Sequence, residues 1–233
     1  MSDDFVQTTV EGRVTRIRLD RPEADNRITI AMMRQFIEGL RAATEAAADV
    51  LVITASGENF TVGRDQQERP PEGMTRRDNL ALIIQGNELL GRFQGISVTA
   101  FRGRALGFGS GLVVQSDLSV AADTATLGFD EIRHGFAPSI VMTYLEDAVG
   151  RKRALDLVAT GRTLNALEAQ RFGMVSRVVA ADDLDASAES LVDDLLDRDP
   201  TALRTCKSYL RDIRDVETEK RGEYALDQMV GTR

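Results

Sequence analysis

The sequence predicts an α/β fold, a largely parallel sheet with covering helices that gives way to a helical tail. Three observations carry this. Up to about residue 130, short apolar runs alternate with helix-period segments. The order strand, turn, helix, strand, turn, helix, strand calls for right-handed crossovers and parallel pairing. The run Val50-Leu-Val-Ile-Thr54 is apolar throughout, as in a strand covered on both faces. From Ser139 on, helical character prevails, interrupted only by Met174-Val-Ser-Arg-Val-Val179. One sheet domain with a C-terminal extension and two separate domains both suit 233 residues.

The elements follow in order. Residues 5–10 and 14–19 read as a hairpin turning at Glu11-Gly12, with Ile17 and Leu19 on one face. Pro22 ends that strand, since it lacks an N–H for the ladder and disfavours helix just before it. From Thr29 the apolar period becomes helical, with Ile30, Met33, Ile37 and Leu40 on one stripe, and the alanines up to Ala48 extend the helix by propensity. Residues 66–73, polar with two prolines, read as a mobile surface loop. A second amphipathic helix carries Leu80, Ile83, Ile84, Asn87 and Leu90 on one side. Strands are expected at 96–101, 117–122 and 125–129. Asn165-Ala-Leu-Glu168 has the form of an N-cap with its glutamate partner, and Gly173 stops that helix. Residues 183–197, 201–214 and 216–230 carry charged helical periodicity, and Leu203, Tyr209, Leu210 and Ile213 suit docking on a core or a neighbour.

Composition excludes several function classes. A net charge of −8 argues against a nucleic-acid surface. The lone Cys206 rules out an internal disulfide and a cysteine zinc cluster, and the lone His134 rules out a histidine-rich metal site. Cys206 reads as a small half-buried residue. There is no run of membrane-spanning length and no secretory h-region at Met1-Ser-Asp-Asp-Phe, so a cytoplasmic protein is expected.

The chemistry centres on two glycine turns, each just after a strand. Glu58-Asn-Phe-Thr-Val-Gly-Arg-Asp65 is the first, and Phe101-Arg-Gly-Arg-Ala-Leu-Gly-Phe-Gly-Ser-Gly111 the second. Glycine lets the backbone adopt φ > 0 and approach a ligand, and amides freed at a helix start are ready donors for negative charge. Either turn alone reads as ordinary strand-to-helix geometry. A dinucleotide fingerprint fails because its third glycine falls at Leu112, and a nucleophile elbow at Ser110 fails because Phe108 and Leu112 stand where glycines belong.

These positions, in this order, resemble the crotonase family, the enoyl-CoA hydratase/isomerase superfamily, from about Val14 to about Tyr209. Arg21-Pro-Glu-Ala-Asp-Asn26, Phe60-Thr-Val-Gly-Arg-Asp65, Gly103-Arg-Ala-Leu-Gly-Phe-Gly-Ser-Gly-Leu112 and Asp117-Leu-Ser-Val-Ala-Ala122 are similar to successive family motifs. So are Gly150-Arg-Lys-Arg-Ala-Leu155 and Thr160-Gly-Arg-Thr-Leu-Asn-Ala166. The resemblance implies a crotonase-like (ClpP/crotonase) ββα spiral over residues 1–170, with a mainly helical trimerisation region over 171–233. It implies a homo-oligomer, a trimer or a dimer of trimers. It also implies an acyl-CoA thioester as substrate, with coenzyme A part of that substrate and no separate cofactor or metal.

By position, the resemblance makes the backbone N–H groups of Arg64 and Phe108 the two donors of an oxyanion hole, with Gly63, Gly107, Gly109 and Gly111 lining the thioester. Two fixed donors stabilise an enolate oxygen without reorganisation, and losing one costs about 3 kcal/mol of barrier. Arg64 stands where alanine is usual and Phe108 where glycine is, which is expected to reshape the pocket. Family hydratases carry two glutamates. The first falls at Gly111 here and is absent; the second is Glu131 in Leu127-Gly-Phe-Asp-Glu-Ile132. One carboxylate suffices for a proton shuttle between two carbons, so an isomerase is favoured. A hydratase using Glu131 with another group, or a binding protein without catalysis, are the alternatives. Asp130 and His134 are candidate assisting groups, though Asp130 also suits a cap and His134 a solvent-facing role. The structural alternative for Glu131 is a salt bridge with Arg133, and Lys207 resembles a basic position that meets coenzyme A phosphates.

Overall fold

In the computed structural model the described residues are 4–231, so the extreme ends of both expected regions lie outside them. The chain opens with the hairpin β1 (Val6–Glu11) and β2 (Val14–Leu19), then a 3₁₀ turn over Pro22–Ala24 and helix α1 (Ile30–Glu45). Strand β3 (Val50–Ala55), helix α2 (Arg76–Arg92) and strands β4 (Ile96–Phe101) and β5 (Arg104–Leu106) follow. Next come α3 (Phe108–Gln115), β6 (Leu118–Ala122), β7 (Thr126–Gly128), a 3₁₀ turn over Glu131–His134, α4 (Ser139–Val149), α5 (Arg151–Thr160) and β8 (Thr163–Asn165). The chain closes with α6 (Ala166–Phe172), β9 (Arg177–Val179), α7 (Leu184–Leu196), α8 (Pro200–Asp212) and α9 (Arg221–Gly231).

Six strands form the main sheet in the order β1-β2-β3-β4-β6-β9, parallel except for the opening hairpin. Three short strands, β5-β7-β8, form a second sheet. The apolar run in β3 is covered on both faces, as expected: Leu51 and Ile53 enter a core with α1, while Val50 and Val52 enter another with Leu184, Ala188, Leu191 and Val192 of α7. The edge strand β9 and its covering helix α7 thus come from beyond residue 170.

Local sequence accounts for most boundaries. Thr29 caps α1 by accepting from the Met32 N–H, and Asn165 with Glu168 forms the expected capping box, ended by Gly173 at φ 85°. Thr75 and Asp78 make a second capping box at the start of α2. Four expectations need correction. Helix α1 stops at Glu45 rather than running on to Ala48, because Ala47 takes φ 49° and turns the chain into β3. Leu80 and Ile84 of α2 stay exposed within one chain, so only part of its apolar stripe meets the core. Cys206 is exposed. Lys207 is committed internally: its Nζ donates to the Phe93 and Gly95 carbonyls and to Asp117, tying α8 to the end of α2. Among the described residues no helix is long and apolar enough to cross a membrane.

Candidate active site

The first turn is built by the segment that precedes α1. Asn26, fully buried at φ 51°, accepts from the Arg21 N–H and donates to the carbonyls of Ser56 and Asn59. The Thr61 hydroxyl donates to the Asn26 carbonyl, and the Val62 N–H to that of Asp25. Asn26 therefore clamps the turn after β3 to the turn after β2. Asn26→Ala leaves three part-buried backbone groups without their side-chain partner and places alanine at left-handed φ. A stability loss of about 3 kcal/mol is expected, read from the urea midpoint.

Beyond Thr61 the first turn runs alongside β5: the Thr61 N–H donates to Arg104 O and the Leu106 N–H to Thr61 O. This brings Gly63 against Gly107. Their φ angles are 87° and 52°, and a Cβ built on either would stand 3.9 Å from the other's Cα. The residues that follow them leave their amides unpaired. Ile28 bridges Arg64 in parallel, using the Gly63 carbonyl and the Asp65 N–H, so alternation turns the Arg64 N–H the other way. Phe108 opens α3, where an N–H has no intrahelical acceptor. Among the described residues neither amide has a hydrogen-bond partner.

Glu131 reaches this junction from the 3₁₀ turn after β7. A Cβ on Gly107 would stand 2.9 Å from Glu131 Oε1. Glu131 Oε2 is buried without a partner, and Glu131 forms no ion pair among the described residues. Arg133 instead packs its side chain over Gly161, so the salt-bridge alternative does not hold. Burial pushes the Glu131 carboxyl above the usual range. Its own backbone N–H opposes this, the Asp130 charge adds to it, and His134 opposes it. Asp130 and His134 face each other at 3.8 Å with partly exposed side chains, and the Asp130 side chain makes no cap bond.

The remaining expected site residues divide. Gly109 lets α3 pack onto the first turn, since a Cβ there would crowd Thr61. The Phe108 ring points into the core, edge-on to Phe36 at 5.9 Å, so this residue changes the core side of the turn rather than the pocket. Arg64 also folds inward: its guanidinium donates to Asn79 Oδ1 and Thr29 O and lies 3.8 Å from Glu68. Burial holds its pKa below the ordinary value, against the pull of Glu68 and Asp65. Glu68 accepts from the Ile30 N–H at the start of α1, so the 66–73 loop is pinned at this point. Ser110 is buried, donating to Ala105 O and accepting from Gly128 N–H, a bracing role that leaves no nucleophile.

Gly111 is not open space. A side chain begun there would run into the Tyr144 hydroxyl, with Val141 also in contact range. Tyr144 on α4, Gln115 on α3 and Asn87 on α2 gather beside it. Asn87 stands on the apolar stripe of α2 and Tyr144 in an amphipathic helix, so periodicity alone marks neither for the site. The one signal available is the missing side chain at position 111.

Comparison with known proteins settles the kinship. A family profile described as enoyl-CoA hydratase/isomerase matches residues 9–232. The chain belongs to the enoyl-CoA hydratase/isomerase family. It is 36% identical to a probable enoyl-CoA hydratase of Rhizobium meliloti over 187 residues, covering 79% of this chain and 72% of that one. The fold of this family member matches an enoyl-CoA hydratase of Mycobacterium smegmatis with TM-score 0.89 at 26% identity, covering 97% and 90% of the two chains. It also matches a Thermobifida fusca putative enoyl-CoA hydratase, solved in complex with CoA, with TM-score 0.87 at 29% identity, covering 97% and 92%. The crotonase-like fold class expected from the sequence is thereby shown.

Proposed function

We propose that this protein binds an acyl-CoA thioester with its carbonyl oxygen between the Arg64 and Phe108 amides, and moves a proton at the adjacent carbon with Glu131. The observation that carries this reading is the junction of Gly63, Gly107 and Glu131 Oε1, two positive-φ glycines face to face with a buried carboxylate 2.9 Å from the Cβ position of one of them. As the base takes a proton from carbon, charge moves onto the thioester oxygen, where two fixed donors stabilise it. One carboxylate serves both proton abstraction and return, so migration of a double bond from 3-enoyl to 2-enoyl thioester is the primary reaction. Asp130 and His134 assist by setting the charge around Glu131. The test is incubation of a 3-enoyl-CoA with the protein. Formation of the conjugated 2-enoyl product is expected, and no conversion across a range of chain lengths would refute the reading.

The pH dependence follows from the buried carboxylate. Glu131 must be ionised to act as base, and burial raises its pKa. The acid limb of kcat/KM for isomerisation is therefore expected above the normal carboxylate range, with activity rising as pH rises through it. A limb at the value of an exposed glutamate would contradict the assignment.

A homo-oligomer, a trimer or dimer of trimers, is part of the same proposal. Its support is the apolar surface that one chain leaves exposed on the tail, at Leu210, Leu226, Met229 and Val230, and on α2 at Leu80 and Ile84. Sedimentation at micromolar concentration reads the assembly directly; a monomer would overturn this part.

A further inference from the structure

We infer that Tyr144 is a water-positioning residue: its hydroxyl, with Asn87 and Gln115, seats beside Gly111 the water that adds to a 2-enoyl thioester, so the site hydrates as well as isomerises. The inference rests on reading Glu131 as the acid–base group.

Three helices converge to make this seat. Tyr144 comes from α4, Asn87 from α2 and Gln115 from α3, and the Glu131 charge acts on the same hydroxyl. The Tyr144 hydroxyl takes the space that a side chain at position 111 would need, so a second carboxylate there would require this phenol to move. Two buried oxygens, Asn87 Oδ1 and Glu131 Oε2, have no hydrogen-bond partner. A buried acceptor left unpaired is costly, and each of these two belongs to a residue that acts on the Tyr144 hydroxyl, which suits one small molecule that both donates and accepts. Water does this with two to four polar partners. Burial keeps the phenol neutral, since it pushes the Tyr144 pKa up; the neighbouring Glu131 charge adds to this while Gln115 and Asn87 oppose it. A neutral phenol orients a water without competing with Glu131 for its proton.

The step balances within the site. The water oxygen bonds to the β-carbon while one of its protons passes to the Glu131 carboxylate. The π pair moves through the α-carbon to leave the charge on the thioester oxygen, held by the two amides. Glu131 then returns the proton to the α-carbon, giving the 3-hydroxyacyl thioester and regenerating the carboxylate. Isomerisation needs no water, so it does not use Tyr144.

Tyr144→Phe keeps the ring against the main core and removes only the hydroxyl. Wild-type protein and this variant are to be assayed on a 2-enoyl-CoA for hydration and on a 3-enoyl-CoA for double-bond migration. The expected result is hydration by the wild type and a loss of roughly 10- to 100-fold in the variant, the scale of one hydrogen bond to a reacting group. Migration and thioester affinity are expected to stay within about twofold. Asn87→Ala is expected to give the same split and serves if Tyr144→Phe does not fold. Equal hydration in wild type and variants, equal loss of both reactions, or a wild type that isomerises without hydrating would each overturn the inference. Both reactions surviving Glu131→Gln would instead overturn the acid–base reading beneath it.

Discussion

Glu131→Gln is expected to lower kcat for double-bond migration by about 10³-fold, within the range that a positioned acid–base group contributes. The amide fills the same volume and still hydrogen-bonds, but it cannot take a proton from carbon. Because the Arg64 and Phe108 amides are backbone groups, the Kd of a saturated acyl-CoA is expected to change by less than about threefold. The change in stability has a definite sign. The folded pKa of Glu131 is raised, so between its unfolded and folded values the native state binds more protons than the unfolded one, and stability falls as pH rises. At neutral pH the ionised carboxylate is therefore a net cost, and the glutamine variant is expected to melt at the same temperature or higher. Calorimetry beside the activity assay checks both halves. Unaltered turnover, or lost turnover with a collapsed melting point, would contradict the assignment.

Gly107→Ala is expected to have a comparable effect by a different route. At φ 52° and ψ −113° the backbone lies where a side chain is strained, at a cost of about 1–3 kcal/mol. The added methyl would also stand 2.9 Å from Glu131 Oε1, so the carboxylate or the turn must shift. Either movement misaligns the Phe108 amide with Glu131, and a misplaced donor is expected to cost about 10²-fold in kcat. Gly12→Ala is the matching control: its φ is 59°, but nothing lies within 4 Å of the new methyl, and it sits in the opening hairpin. It is expected to lose stability and keep kcat. Equal kcat losses at both positions would mean that backbone strain, not site geometry, sets the Gly107 effect.

Much of this was legible in the chain because short-range rules decide it. The hairpin, the doubly covered strand at 50–55, the capping box at Asn165 and the stop at Gly173 all follow from patterns a few residues long. The three-residue strands β5 and β8 were hidden, since a sheet of such pieces has no run long enough to alternate and is held by partners far along the chain. The end of α1 is not legible for a related reason: alanine propensity favours helix, but the β3 connection demands left-handed φ at Ala47. Lys207 resembles by position a cation that meets coenzyme A phosphates, and only its partners Phe93 O, Gly95 O and Asp117, distant in sequence, show it committed internally. At the site, Glu131, Gly63 and Gly107 were marked by motif resemblance, while their mutual distances were not. Tyr144 was invisible because the space it fills belongs to a glycine 33 positions earlier in the chain.

The most direct measurement is a crystal structure with acetoacetyl-CoA or another slowly reacting thioester bound. The thioester oxygen is expected within about 3.1 Å of both the Arg64 and Phe108 nitrogens, with a Glu131 carboxylate oxygen facing the α-carbon. A thioester held by one amide or neither, or with its α-carbon turned away from Glu131, would contradict the account.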